Sequence, residues 1–158
     1  LPTVAPPPLT AVPLPTAGEY KDPAQRFRVA ILQDYSVTPI GDAVLLEAKD
    51  GHLAYTALAR RTTGTLLNDE GLVQLAQSTF QRGEGFQAGP AQPIVGGIRL
   101  DWTGSLTIGG QTQPVSGVIV AKPAGENVLL LLIAATAKAA DKIPNALSAL
   151  ADGLQSLQ

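Results

Sequence analysis

Few side chains in this sequence can do chemistry, and their types exclude more than they suggest. Cysteine is absent and histidine occurs once, as His52. Without a thiol there is no disulfide, no thiolate nucleophile and no cysteine-ligated metal. A single imidazole leaves no HExxH helix and no paired-histidine metal site. A Ser-His-Asp triad would have to recruit His52, yet Ser105 in "TGSLT" and Ser116 in "PVSGV" lie outside any G-x-S-x-G elbow. Neither G-x-x-x-x-G-K-[ST] nor G-x-G-x-x-G occurs; "GEG" at 83–85 reads as a helix stop and "GGIRLDWTG" as the entry to a strand. The carboxylates are scattered, and Asp101 falls on the polar side of an alternating segment, so no acid/base pair is indicated. His52 follows Asp50-Gly51 at the expected tip of a hairpin, an exposed turn position. Its one sharper reading is a weak surface metal site shared with Asp50. No catalytic residue, cofactor site or metal site is assigned.

Composition narrows the partners. The chain has 158 residues, the size of one domain, with 45% hydrophobic and 15% charged residues and a formal charge of −2. That balance gives no basic footprint for nucleic acid, and Arg60-Arg61, the only basic doublet, reads as solvated. Methionine is absent, which reads as a processed or shortened chain. No basic segment of a signal peptide is visible, since the first charged residue is Glu19, and a segment removed before Leu1 would leave no trace.

Residues 1–18, "LPTVAPPPLTAVPLPTAG", carry six prolines and no charge. Proline fixes φ and removes backbone donors, so this stretch is expected to be an extended stalk or linker. A Pro-rich ligand for a partner's aromatic groove is the alternative. The single folded domain is then 19–158.

From Tyr20 the elements alternate between strands and helices. "RFRVAIL" has the period-2 mark of a strand, with Phe27, Val29 and Ile31 on one side. After a break at Pro39-Ile40-Gly41-Asp42, "AVLLEA" and "HLAYTALAR" are predicted to form a hairpin, with Asp50-Gly51 in a type I′ turn. A helix follows over 68–83, with Asn68 as N-cap, Leu72, Val73, Ala76 and Phe80 on one face, and Gly83 at the stop. The "FQRGEGFQAGP" stretch with Phe86 reads as a solvated connection. Residues 98–108 alternate cleanly, which places Trp102 with Ile98 and Leu100 in the core. Gly109-Gly110 permits a tight turn into "PVSGVIVAK", and "PAGEN" makes the next one.

The most apolar run comes next. No charge interrupts the eleven residues between Glu126 and Lys138. About 20 apolar residues are needed to span a bilayer as a helix, so this run is too short. Apolar side chains at both parities mark a strand covered on both faces, near the middle of its sheet. A closing helix is predicted with Asp141 as N-cap, Pro144 in the first turn, and Ile143, Leu147, Leu150, Leu154 and Leu157 as its stripe. The fold class is α+β: an antiparallel sheet of about six to seven strands flanked by two main helices, an α/β/α sandwich.

"YKDPAQRFRVAILQDYSV" resembles the opening of the PsbP-like family, whose members commonly show F-x-V-x-x-P-x-x-W. Phe27 and Val29 match, Leu32 replaces the proline and Tyr35 the tryptophan. The order and length of the later elements are similar over about residues 20–157. The resemblance implies a PsbP-like fold, shared with Ran-binding Mog-type proteins and with bacterial secreted or lipoprotein domains. It implies a non-catalytic accessory or assembly role at a photosynthetic membrane complex, on the lumenal side of thylakoids, with protein subunits as partners and no cofactor. A monomer, peripheral or lipid-anchored upstream of residue 1, would fit it. It also lends support to the His52–Asp50 reading, because relatives are found with metal ions. The alternatives are a periplasmic or cell-surface binding domain unrelated to photosynthesis, and an unrecognised hydrolase using the scattered carboxylates.

Overall fold

Apolar residues on both sides of one strand force the architecture. A computed structural model of the chain describes residues 14–41, 43–61, 71, 87–94, 96–108, 110–124 and 127–156. Strands β1 (Thr16–Lys21), β2 (Phe27–Leu32), β3 (Ser36–Ile40), β4 (Ala43–Glu47) and β5 (Leu53–Arg61) come first. Then follow β6 (Gln87–Ile94), β7 (Gly97–Ile108), β8 (Gln111–Ala124) and β9 (Asn127–Thr136). A 3-10 turn (Ala140–Lys142), helix α1 (Ile143–Gly153) and the short strand β10 (Gln155–Ser156) close the chain.

The main sheet has seven strands in the order β3-β4-β5-β9-β8-β7-β6, all antiparallel. The apolar run is β9, and it occupies the middle position. Leu129, Leu131, Ile133 and Ala135 point into one core, and Val128 and Leu130 into another on the opposite face. The first core is completed by Val44 and Leu46 of β4, Tyr55 and Ala57 of β5, and Ala146 and Leu150 of α1. The second gathers Ile98, Leu100 and Trp102 of β7 with Val115, Ile119 and Ala121 of β8.

Of the two main helices expected, α1 is described; the one expected over 68–83 lies outside the described residues except for Gly71, which is helical. Part of the first core's cover is a second, three-stranded sheet in the order β1-β2-β10, which was not expected. Phe27, Val29 and Leu32 of β2 point into the first core beside Leu150 and Leu154. Alternation in "RFRVAIL" signals a buried face but carries no information about which sheet the backbone joins. The alternation also shifts at Ala30, which is buried, so that Ile31, expected on the buried side, is half-buried and Leu32 is buried in its place.

Several local expectations change as well. Pro39 and Ile40 do not break the chain but belong to β3, an exposed edge strand where a missing N–H is tolerated. The β4–β5 connection is longer than a type I′ turn: Gly51 N–H bonds Ala48 C=O at 3.0 Å, and of the two residues only Gly51 has positive φ, 74°. Asp141 is not the N-cap, because the 3-10 turn precedes the helix and Lys142 sits at its start without a side-chain cap. The helix stops at Gly153, and the chain turns into β10 rather than running on to Leu157, which lies outside the described residues. At the other end, the fold includes Leu14, whose N–H reaches Asn145 C=O at 3.2 Å, and β1 begins inside the stretch read as a stalk.

Leu131 is fully buried at the centre of the middle strand. Leu131→Asp should put an unpaired charge there and lower stability by at least about 4 kcal/mol, enough to unfold a typical domain. Thermal melting checks this; an unchanged midpoint would contradict the central role of β9.

Candidate functional site

The two residues singled out for metal binding lie at the β4–β5 corner, and both are engaged in holding it. Asp50 Oδ1 accepts the backbone N–H of His52 at 3.0 Å, the local loop contact that short carboxylates make. That bond, helped by the charges of His52 and Lys142, holds the Asp50 carboxyl below the usual carboxylate range. The His52 ring points elsewhere: its Nδ1 lies 2.8 Å from Thr136 Oγ1, and Thr136 N–H donates to His52 C=O at 3.0 Å. The imidazole therefore ties the hairpin corner to the end of β9. Among the described residues no group of three or more His, Cys, Asp or Glu is arranged to hold a metal.

A second constellation lies one layer inward, and sequence reasoning missed it. Tyr55 Oη donates to Ala30 C=O at 2.6 Å and accepts Leu32 N–H at 3.0 Å. A side chain of the main sheet thus bonds the backbone of the small sheet, across the first core. Burial pushes the Tyr55 phenol well above its ordinary range, against the pull of the Leu32 N–H. Tyr35 packs beside it with ring centroids 5.8 Å apart and planes inclined at 43°. Its phenol is pushed up to about 12, first by burial and then by the negative charge of Asp50. A signal was present: Tyr55 shares the buried parity of Leu53, Ala57 and Ala59, and a buried phenol requires hydrogen-bond partners.

The remaining polar contacts of the motif region are structural too. Asp22 is 5% exposed and its Oδ2 accepts Arg26 Nε–H at 2.7 Å and the Arg26 backbone N–H at 3.1 Å, closing the β1–β2 connection. The Arg26 side chain holds this carboxyl below its ordinary range. Phe27, Val29 and Leu32 are buried, and Tyr35 packs against the same core, so the four motif positions form one packing unit.

On the opposite face Trp102 behaves as its parity predicts. It is buried, and its Nε1–H donates to Ile133 C=O at 3.2 Å. The indole reaches β9 across Gly117, where an added Cβ would lie 1.7 Å from Ile133 O and 2.8 Å from Trp102 Nε1. Only glycine fits there.

Tyr55→Phe keeps the ring but strands the Leu32 N–H and the Ala30 C=O, and should lower stability by roughly 1–3 kcal/mol in denaturant titration. The phenol also sets an alkaline limit. Both tyrosines are raised in the folded state, so their contribution is full below the unfolded value near 10 and is lost as pH rises through the folded values. The melting temperature should therefore fall above pH ~10, and less steeply in Tyr55→Phe; parallel profiles would contradict this. At the corner, one imidazole already bonded to Thr136 should bind zinc only weakly. Calorimetry showing sub-micromolar affinity that vanishes in His52→Ala would overturn that.

No protein-family profile matches the chain, and no curated protein matches it. Its likeness is to solved structures. Cyanobacterial PsbP (CyanoP) from Synechocystis sp. PCC 6803 superposes with a TM-score of 0.61 at 8% identity, over 98% of this chain and 99% of that one. The Saccharomyces cerevisiae Ran-binding protein Mog1p gives 0.58 at 6% identity, over 89% and 95%. LpqN of Mycobacterium tuberculosis, involved in cell envelope biogenesis, gives 0.53 at 15% identity, over 88% and 89%. The chain also matches a Bacteroides thetaiotaomicron structure at 0.56 and 8% identity, but spans about half, 48%, of its length. With the seven-stranded sheet, its three-stranded companion and the terminal helix in place, the chain has the PsbP-like fold that CyanoP and Mog1p share.

Proposed function

We propose that this chain is a non-catalytic accessory or assembly factor that binds protein subunits of a photosynthetic membrane complex of photosystem II type, on the lumenal side. The end-to-end correspondence with CyanoP, 98% of one chain on 99% of the other, carries this reading. The ionisable and hydroxyl groups described above support it, because His52, Asp50, Tyr55, Asp22 and Thr136 are each committed to joining elements. No helix among the described residues is long and apolar enough to cross a membrane, which accords with a peripheral or lipid-tethered domain. The proline-rich residues ahead of Leu14 would then act as a spacer, and a monomer would suffice.

A periplasmic or cell-surface domain unrelated to photosynthesis is the second reading, favoured by the LpqN likeness at 15% identity. One experiment separates the two. The immobilised full chain is offered detergent-solubilised thylakoid membranes and, in parallel, solubilised envelopes from a non-photosynthetic bacterium. Salt-sensitive retention of photosystem subunits from the first alone is the expected result. Retention from envelopes alone would transfer the assignment to the second reading.

A further inference from the structure

One buried carboxylate stands beside a peptide bond whose chemistry differs from that of its neighbours. Asp22 precedes Pro23, and no other aspartate in the chain is followed by proline. A proline nitrogen carries no N–H, so it cannot attack the preceding side chain as an ordinary amide nitrogen can. The reverse attack stays open. An aspartate carboxylate is a competent nucleophile, and its oxygens lie within ring-closing reach of its own carbonyl carbon. Once protonated, the proline nitrogen can leave as a secondary amine.

In the β1–β2 connection one half of that reaction is assembled and the other is restrained. The Asp22 C=O, the group that would be attacked, accepts Gln25 N–H at 2.8 Å. A donor on that oxygen stabilises the negative charge that attack would place there. Gln25 makes this bond at a positive φ of 57°, uncommon for a residue with a side chain. Pro23, on the leaving side, is exposed. The nucleophile is the restrained half. Besides the Oδ2 contacts described above, Arg26 Nη2–H reaches Oδ1 at 3.2 Å, so one guanidinium holds both carboxylate oxygens. Charge-assisted bonds of this forked kind fix the carboxylate's orientation and occupy its lone pairs. Lys21 is exposed and Arg28 pairs with Glu19 at 3.3 Å, which leaves Arg26 as the charged group on Asp22 among the described residues.

We propose that the β1–β2 connection is a latent self-cleavage site, with Asp22 as nucleophile, Pro23 as leaving group and Arg26 as the residue that holds the nucleophile back. When the guanidinium lets go, a carboxylate oxygen bonds to the Asp22 carbonyl carbon and closes a cyclic anhydride. The C–N bond to Pro23 breaks, and its electron pair stays on the nitrogen, which takes a proton from acidic solvent. Water then opens the anhydride, leaving one chain that ends in Asp22 and another that begins at Pro23. The cut separates the proline-rich stretch and β1 from β2 and the main sheet. It is a single event on the chain itself and does not depend on the partner proposed above. Arg26 holds the Asp22 carboxyl below its ordinary range, so the pair persists until the pH falls through that lowered value. Cleavage is therefore confined to acid or to a turn that has opened.

Mass spectrometry of the full chain held at about pH 4 tests this, with the same chain unfolded in urea as reference. Fragments ending at Asp22 and beginning at Pro23 should form at least about tenfold faster in urea than in the folded chain. Arg26→Gln, its fold checked by circular dichroism, should cleave at least about fivefold faster than the unaltered chain. Arg26→Lys keeps the cation but loses the fork, so its rate should fall between the two; where Arg26→Gln does not fold, Arg26→Lys decides in its place. Pro23→Ala changes an exposed side chain, keeps the ion pair and should abolish the fragments even in urea. Equal rates in the folded and unfolded chain would overturn the proposal. So would undiminished fragments in Pro23→Ala, or a folded Arg26 variant that cleaves no faster than the unaltered chain.

Discussion

Everything in this molecule is arranged around a strand that can show neither of its faces to water. Strand β9 is buried on both sides, so it needs long partners to its left and right and a packed layer on its first-core face. The double burial has a cost in specificity. A one-residue slip normally swaps an apolar face for a polar one, but β9 is apolar at either parity and cannot fix its own register. Its neighbours must do so. On β5 the inward residues Leu53, Tyr55, Ala57 and Ala59 alternate with half-exposed Ala54, Thr56 and Leu58. On β8 a residue without a side chain must stand where the Trp102 indole crosses to Ile133. These features supply the registration that β9 lacks.

The layers are joined by polar contacts as well as by apolar burial. Tyr55 reaches from the main sheet to the backbone between Ala30 and Leu32, and His52 fastens the corner to Thr136. Among the described residues, Tyr55, His52 and Asp50 are thus engaged in joining elements.

Much of this architecture could be read from the chain. The clean alternation from Ile98 to Ile108 and the two-sided run after Glu126 each admit one interpretation, and both appear as strands in the expected places. The segment around Phe27 and Val29 carries the resemblance that implies this fold. Other features were hidden for physical reasons. Periodicity reports which face is buried but not which sheet a strand joins, so the separate pairing of β2 with β1 and β10 was invisible. Asp141 looked like a cap, yet the 3-10 turn ahead of α1 displaces it. Proline at residue 39 looked like a break because its tolerance depends on lying at an edge, which is a property of the whole sheet. The corner reading of His52 and Asp50 located the turn correctly in sequence, but the bonds that occupy both residues span 84 positions in one case and two in the other.

The placement of the aromatic residues gives the protein its own pair of optical reporters. Its one tryptophan lies in the second core, on the far side of β9 from the Tyr35–Tyr55 pair in the first. Indole emission therefore follows the β7–β8–β9 side, while near-ultraviolet tyrosine signals follow the contact between the two sheets. If the two sides of β9 dissolve together, the two signals trace one curve; if the small sheet peels away first, they separate. The cooperativity of the whole domain can thus be read without any label, because the tryptophan and the three tyrosines lie on opposite sides of the central strand.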